Sequence, residues 1–134
     1  MKRFAKSLLL IINIMIASLP PLFAQSGKSN GPLPANVTFW SDYPADILAR
    51  TIVERMSDAE CLSQIFMFGW AGAEPEQLLY DWVSRGLGSV KVFGWNTDDI
   101  RLVADSIFSL QRSASQTRFK IPLFVATDQE GGWI

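Results

Sequence analysis

The chain has 134 residues, with 12 Lys and Arg against 13 Asp and Glu, a net charge of −1, one cysteine and no histidine. One cysteine excludes an intrachain disulfide, and the lack of histidine excludes a Cys/His constellation for zinc. No cluster of Lys or Arg forms the basic patch that binding to a phosphate backbone requires, so nucleic acid is not an expected partner.

Residues 1–24 read as a secretory signal peptide. Lys2, Arg3 and Lys6 precede an apolar run from Leu8 to Ile16 that only Asn13 interrupts. The run falls short of the about 20 residues needed to span a bilayer. Leu22-Phe23-Ala24 puts a small residue at the expected cleavage point but not two positions earlier, so an uncleaved anchor is the competing reading. No cysteine follows the run, which argues against a lipoprotein. The expected location is therefore outside the cytoplasm, periplasmic or secreted, with the membrane involved only through this segment. Cleavage leaves nine basic against thirteen acidic residues, about −4.

Residues 25–40 are expected to form a flexible leader, because Gly, Pro, Ser and Asn dominate residues 25–36 without apolar periodicity. Asn36-Val37-Thr38 matches a glycosylation sequon, which matters only where the source glycosylates. From 41 to 134 the pattern is that of a folded domain. Ile47, Leu48, Ile52 and Val53 predict a helix over 45–55, and Ser57 with Glu60 predicts a capping box for another. A first strand is expected over 65–68. Pro75 suits the first turn of the next helix, Leu78, Leu79, Trp82 and Val83 form its apolar face, and Gly86 ends it. A second strand is expected over 89–93. Thr97 is a candidate cap for a helix carrying Ile100, Val103, Ala104, Ile107 and Leu110 at helical spacing, with Asp98 and Asp99 at its positive end. Residues 121–126 form a third expected strand, a continuous apolar run of the kind buried in parallel sheets.

The order β-α-β-α-β implies an α/β class with a parallel sheet and right-handed crossovers. Three strands are too few for a doubly wound sheet, and an eight-stranded barrel needs about 250 residues. The expectation is therefore the amino-terminal part of a TIM (β/α)8 barrel, with about three βα units present.

The run Ile121-Pro-Leu-Phe-Val-Ala-Thr-Asp-Gln-Glu-Gly-Gly132 closely resembles the signature of glycoside hydrolase family 3, in its β-N-acetylhexosaminidase branch. The resemblance extends over roughly residues 50–132, through the segment from Met56 to Gly69, the segment from Gly86 to Phe93, and Asn96. It implies an exported, retaining glycosidase acting on terminal N-acetylglucosamine of cell-wall fragments or chitin oligosaccharides, with no cofactor or metal. It also implies that Asp128 grips hydroxyls of the sugar in the subsite where cleavage occurs. The same resemblance puts the nucleophilic aspartate beyond Ile134 and the acid/base on a histidine that this chain lacks, so no catalytic residue is expected here and the chain alone is expected to be inactive. A β-glucosidase of the same family and a non-catalytic carbohydrate-binding protein are the alternatives.

On the residues themselves, Asp128 at the carboxyl end of a strand is suited to accepting two hydrogen bonds from neighbouring hydroxyls, or to holding the following turn. Asp128 and Glu130 do not read as a catalytic pair. Two residues apart on an extended chain, at roughly 6.5 to 7 Å, they would approach a sugar from one side, whereas acid and nucleophile flank the scissile bond. Glu130 is a substrate contact or a structural ligand of its loop, and Gly131 and Gly132 permit a tight turn. Trp133 stands where an arginine usually follows in that signature. Phe68-Gly69-Trp70 and Phe93-Gly94-Trp95 echo one another after the first two strands, offering Trp70 and Trp95 either as packing between layers or as flat faces for a sugar ring. Lys91 lies within an apolar strand. It either pairs with Asp128 or Glu130, or snorkels to water.

Overall fold

A computed structural model describes residues 32–131. The expected signal peptide, the leader as far as residue 31, Gly132 and Trp133 lie outside them. Four α-helices and three strands follow in the order α1 (Ala45–Arg55), α2 (Asp58–Gln64), β1 (Met67–Gly69), α3 (Gln77–Ser84), β2 (Ser89–Val92), α4 (Ile100–Ala114) and β3 (Phe124–Thr127), with a 3-10 turn over Gly94–Asn96 after β2. Among the described residues no helix is long and apolar enough to cross a membrane.

The strands pair in parallel in the order β1-β2-β3. Phe68, Val90 and Val125 lie in register, as do Gly69, Lys91 and Ala126. Since successive side chains alternate between faces, Val90 and Val92 point one way and Lys91 the other. The Val90 face is the covered one. It packs against Leu79 and Val83 of α3 and Val103, Leu110 and Ala114 of α4, with Trp70, Leu87 and Leu123 completing the core. A second cluster joins Leu48 and Ile52 of α1 to Val37 and Phe119, and the Phe39 N–H donates to the Phe119 carbonyl at 2.8 Å. The stretch before β1 and the stretch before β3 are thereby tied together below the sheet.

The barrel expectation is corrected here. The described residues form an open three-stranded sheet with β1 and β3 as edges, a small α/β unit rather than a portion of a closed barrel. On the face opposite the helices Met67 and Phe124 are exposed. A β-α-β-α-β order is common to open and closed parallel sheets and carries no information about closure.

Local elements differ from the pattern for identifiable reasons. β1 starts at Met67 because Ile65 and Phe66 still belong to the end of α2, their N–H groups bonding to the Leu62 and Ser63 carbonyls. β3 starts at Phe124. Pro122 has no N–H for a ladder, and Leu123 is held instead by the Gln111 side chain, which accepts from its N–H at 3.0 Å and donates to its carbonyl at 2.8 Å. Asp99, not Thr97, caps α4, accepting from the Arg101 and Leu102 N–H groups at 2.8 and 3.2 Å. The Thr97 hydroxyl donates to the Gly94 carbonyl at 2.7 Å. Leu78 and Ile100 are exposed rather than part of their helices' buried faces. Cys61 is half-buried.

The capping box of α2 forms as its spacing predicts, with the Ser57 N–H donating to Glu60 Oε2 at 2.8 Å and the Glu60 N–H to Ser57 Oγ at 3.3 Å. The backbone bond from Ser57 holds the Glu60 carboxyl below its ordinary value of 4.5, with partial burial opposing and the Ser57 hydroxyl and Arg118 assisting. Because the folded value is the lower one, this stabilisation is fully present above about pH 4.5 and is lost as the pH falls through the folded-state value. Thermal unfolding from pH 7 to pH 3 should therefore show a loss of melting temperature in the acid limb that is smaller in Glu60→Gln.

Gly88 carries the close approach of α2 to the start of β2. Its N–H donates to the Ser63 carbonyl at 3.0 Å, and a Cβ there would collide with the Gln64 backbone carbonyl. Backbone atoms cannot rotate aside, so Gly88→Ala should cost about 1 to 3 kcal/mol by urea denaturation.

Candidate functional site

The site lies at the carboxyl ends of β2 and β3, where open α/β sheets bind ligands. The two Phe-Gly-Trp segments diverge here. Trp70 is 6% exposed and part of the core. Trp95 is 55% exposed at the rim. The first segment thus supplies packing, and the second a free indole face. The two are bonded to each other, since the Trp70 carbonyl accepts from Trp95 Nε1 at 3.1 Å and from Asn96 Nδ2 at 3.3 Å.

Asn96 organises this junction. It is 2% exposed, its amide also donates to the Gly72 carbonyl at 2.6 Å, and its Oδ1 accepts from the Phe93 N–H at 2.8 Å. A buried amide with donors and acceptor all partnered fixes the loop after β2 against the loop after β1. In the sequence Asn96 stands out only through the family resemblance, since nothing local distinguishes it from an ordinary turn asparagine.

The Trp95 ring stacks on Phe93, with centroids 4.5 Å apart and planes inclined by 14°. Gly69 makes room for this stack, because a Cβ there would run into the Phe93 ring. One face of the indole is covered by Phe93, its N–H is committed to Trp70, and Trp95 is 55% exposed, with no second ring stacked on it among the described residues. An indole held in this way loses little conformational entropy when a flat partner binds.

Asp128 follows β3 on the same face as Lys91, and the two pair, Lys91 Nζ lying 2.9 Å from Asp128 Oδ2. Of the two roles open to Lys91, ion pairing and snorkelling to water, the structure has pairing. Its side chain is 28% exposed and that of Asp128 61%. Partly solvated pairs of this kind contribute about 0 to 1 kcal/mol, so stability alone gives little reason for a lysine in an apolar strand. Lys91 Nζ also sits 4.9 Å from the centroid of the Phe93 ring, a cation–π contact. Asp128, Lys91, Phe93 and Trp95 therefore form one continuous surface.

Glu130 is exposed, and among the described residues it makes no hydrogen bond or ion pair. Gly131 adopts φ 70°, a turn conformation suited to glycine. Asp128 and Glu130 both border an open cleft of about 740 Å³ between the ends of β2 and β3 and α4, which Phe93, Thr97, Val103 and Thr127 also line. Among the described residues no group of three His, Cys, Asp or Glu could hold a metal ion.

No family model matches the chain, and no curated protein matches it. Over 58% of its length the chain is similar, at 33% identity and a TM-score of 0.54, to a solved structure described as a unique GCN5-related glucosamine N-acetyltransferase region in the fungal multi-domain GH3 β-N-acetylglucosaminidase. The match spans 9% of that chain. The likeness links this protein to a multi-domain GH3 enzyme and does not tie it to that family's amino-terminal domain. A neighbour named for an acetyltransferase region, together with the open sheet, sets the barrel expectation aside.

Asn96→Ala would leave the Gly72 carbonyl and the Phe93 N–H without their partner, and the Trp70 carbonyl with only the Trp95 indole. It should cost about 2 to 4 kcal/mol in chemical denaturation and change the near-ultraviolet circular dichroism of the released Trp95, whereas Thr97→Ala should do neither.

Proposed function

We propose that this chain contributes a sugar-holding surface to an exported, β-N-acetylhexosaminidase-like glycoside hydrolase acting on terminal N-acetylglucosamine. The observation that carries the proposal is the joined surface of Asp128, Lys91, Phe93 and Trp95, a carboxylate held beside an indole whose outer face is free. Such a pairing suits a pyranose, which has hydroxyl donors on its edge and an apolar face formed by its axial C–H groups. Two further facts support it. The segment from Ile121 to Gly132 resembles the family 3 signature, and the matched structure is described as belonging to a protein in which both named activities, glucosamine N-acetylation and β-N-acetylglucosaminidase, concern a glucosamine unit.

In this assignment Asp128 accepts hydrogen bonds from ring hydroxyls, Trp95 covers the apolar face, and Asn96 holds the two loops at the spacing that makes both available. The chemistry of a retaining glycosidase, with nucleophilic attack on the anomeric carbon and proton transfer to the leaving oxygen, belongs to groups other than these. Asp128 and Glu130 project from one short stretch of chain and do not flank a bond. A non-catalytic carbohydrate-binding protein is the second reading, and it has one observation in its favour: every group identified here serves binding.

Two measurements separate them. Titration of the chain with N-acetylglucosamine, followed by amide chemical shifts, should show binding that Asp128→Ala weakens about tenfold or more, the loss of a charge-assisted hydrogen bond. Turnover of a chromogenic N-acetylglucosaminide by the protein secreted from its source should then be abolished by Asp128→Ala if the glycosidase assignment holds. Binding without turnover would support the second reading, and absence of binding would refute both.

A further inference from the structure

We infer that Lys91 determines which amino sugars the site accepts, favouring neutral N-acetylated sugars and excluding cationic free amines. The inference rests on the sugar-binding assignment above and extends it to a residue on β2, the strand beside the one that carries Asp128. An ammonium carries three donors and no acceptor. Lys91 directs one toward Asp128 Oδ2 at 2.9 Å and lies against the Phe93 ring at 4.9 Å, which leaves donor capacity on a side chain still 28% exposed. Asp128 in turn has its Oδ1 uncommitted among the described residues.

The pair therefore presents a donor and an acceptor about one hydrogen-bond length apart. Two neighbouring equatorial hydroxyls of a pyranose match that arrangement, one accepting from Lys91 and the other donating to Asp128 Oδ1. A bare carboxylate would behave differently. It would hold hydroxyls only as donors, and it would attract any cation, including the protonated amine of a de-acetylated glucosamine. With Lys91 beside it the local charge is balanced, so a neutral ligand strands no uncompensated charge, while a second ammonium meets like-charge repulsion from Lys91.

Two other described cations that meet aromatic rings are placed differently. Arg85 lies over Trp82 and Arg118 over Phe119, each near its own ring and on a different part of the molecule. Lys91 is flanked in the register by Gly69 and Ala126, both small, and its side chain is 28% exposed. It lies two residues before Phe93 on the same face of the chain, so its stem is directed to the ring that supports Trp95.

The test is the ratio of affinities of the full chain for N-acetylglucosamine and glucosamine, measured by amide chemical-shift titration at a pH where the free amine is protonated. The wild type should prefer N-acetylglucosamine. In Lys91→Met, affinity for N-acetylglucosamine should fall about tenfold, as expected for one lost charge-assisted hydrogen bond, while affinity for glucosamine rises, so that the preference narrows by more than tenfold or inverts. Lys91→Arg, which keeps charge and donors, should restore the preference, and in an Asp128→Ala background Lys91→Met should no longer raise glucosamine affinity. A structural role alone would lower both affinities together and leave their ratio unchanged. Wild-type binding with an unchanged ratio in Lys91→Met overturns this inference while leaving the sugar assignment intact. Failure of the wild type to bind either sugar overturns both.

Discussion

The described part of this molecule depends on the buried amide of Asn96. Parallel strands cannot be joined by tight hairpins, so the loops that follow them are independent of one another unless something ties them. Asn96 does this with three hydrogen bonds, reaching from the turn after β2 to the Trp70 and Gly72 carbonyls after β1 while holding the Phe93 N–H behind it. Trp95, whose indole N–H shares the Trp70 carbonyl, is oriented by the same junction. Loosening it would free the indole, the Phe93 ring beneath it and the Lys91 ammonium lying against that ring.

A division of labour follows between the two faces of the sheet. The face toward α3 and α4 is apolar and close-packed, with Val83, Val90 and Leu110 fully buried. It supplies the stability on which the other face draws. Toward the carboxyl ends of the strands the opposite face carries Gly69, Lys91, Ala126 and Asp128, small residues interrupted by one ion pair. Small neighbours leave that pair partly hydrated, so the charges avoid the full desolvation penalty of a buried salt bridge and remain reachable.

What was legible in the sequence was mainly what is determined locally. The box between Ser57 and Glu60, the helix over 45–55 and the alternation of strands and helices all depend on residues within one or two turns of each other. Boundaries shifted where a side chain distant in sequence took over a backbone group, as Gln111 does for Leu123. The identical Phe-Gly-Trp tripeptides could not reveal which tryptophan would be buried, because that depends on which of them packs into the core beside Leu79 and Val83 of α3. Pairing of Lys91 with Asp128 stood as one of two options, and register decided it by placing β2 and β3 side by side. Closure of the sheet had no local signal at all, and there the barrel expectation failed.

The most direct test of the central claim is the structure of this chain determined in the presence of an N-acetylglucosamine disaccharide. The account predicts a sugar ring lying over the free face of Trp95, with two adjacent hydroxyls within hydrogen-bond distance of Asp128 and Lys91 and the Asn96 junction unchanged. A disaccharide bound elsewhere, or one that makes no contact with Asp128, would contradict it.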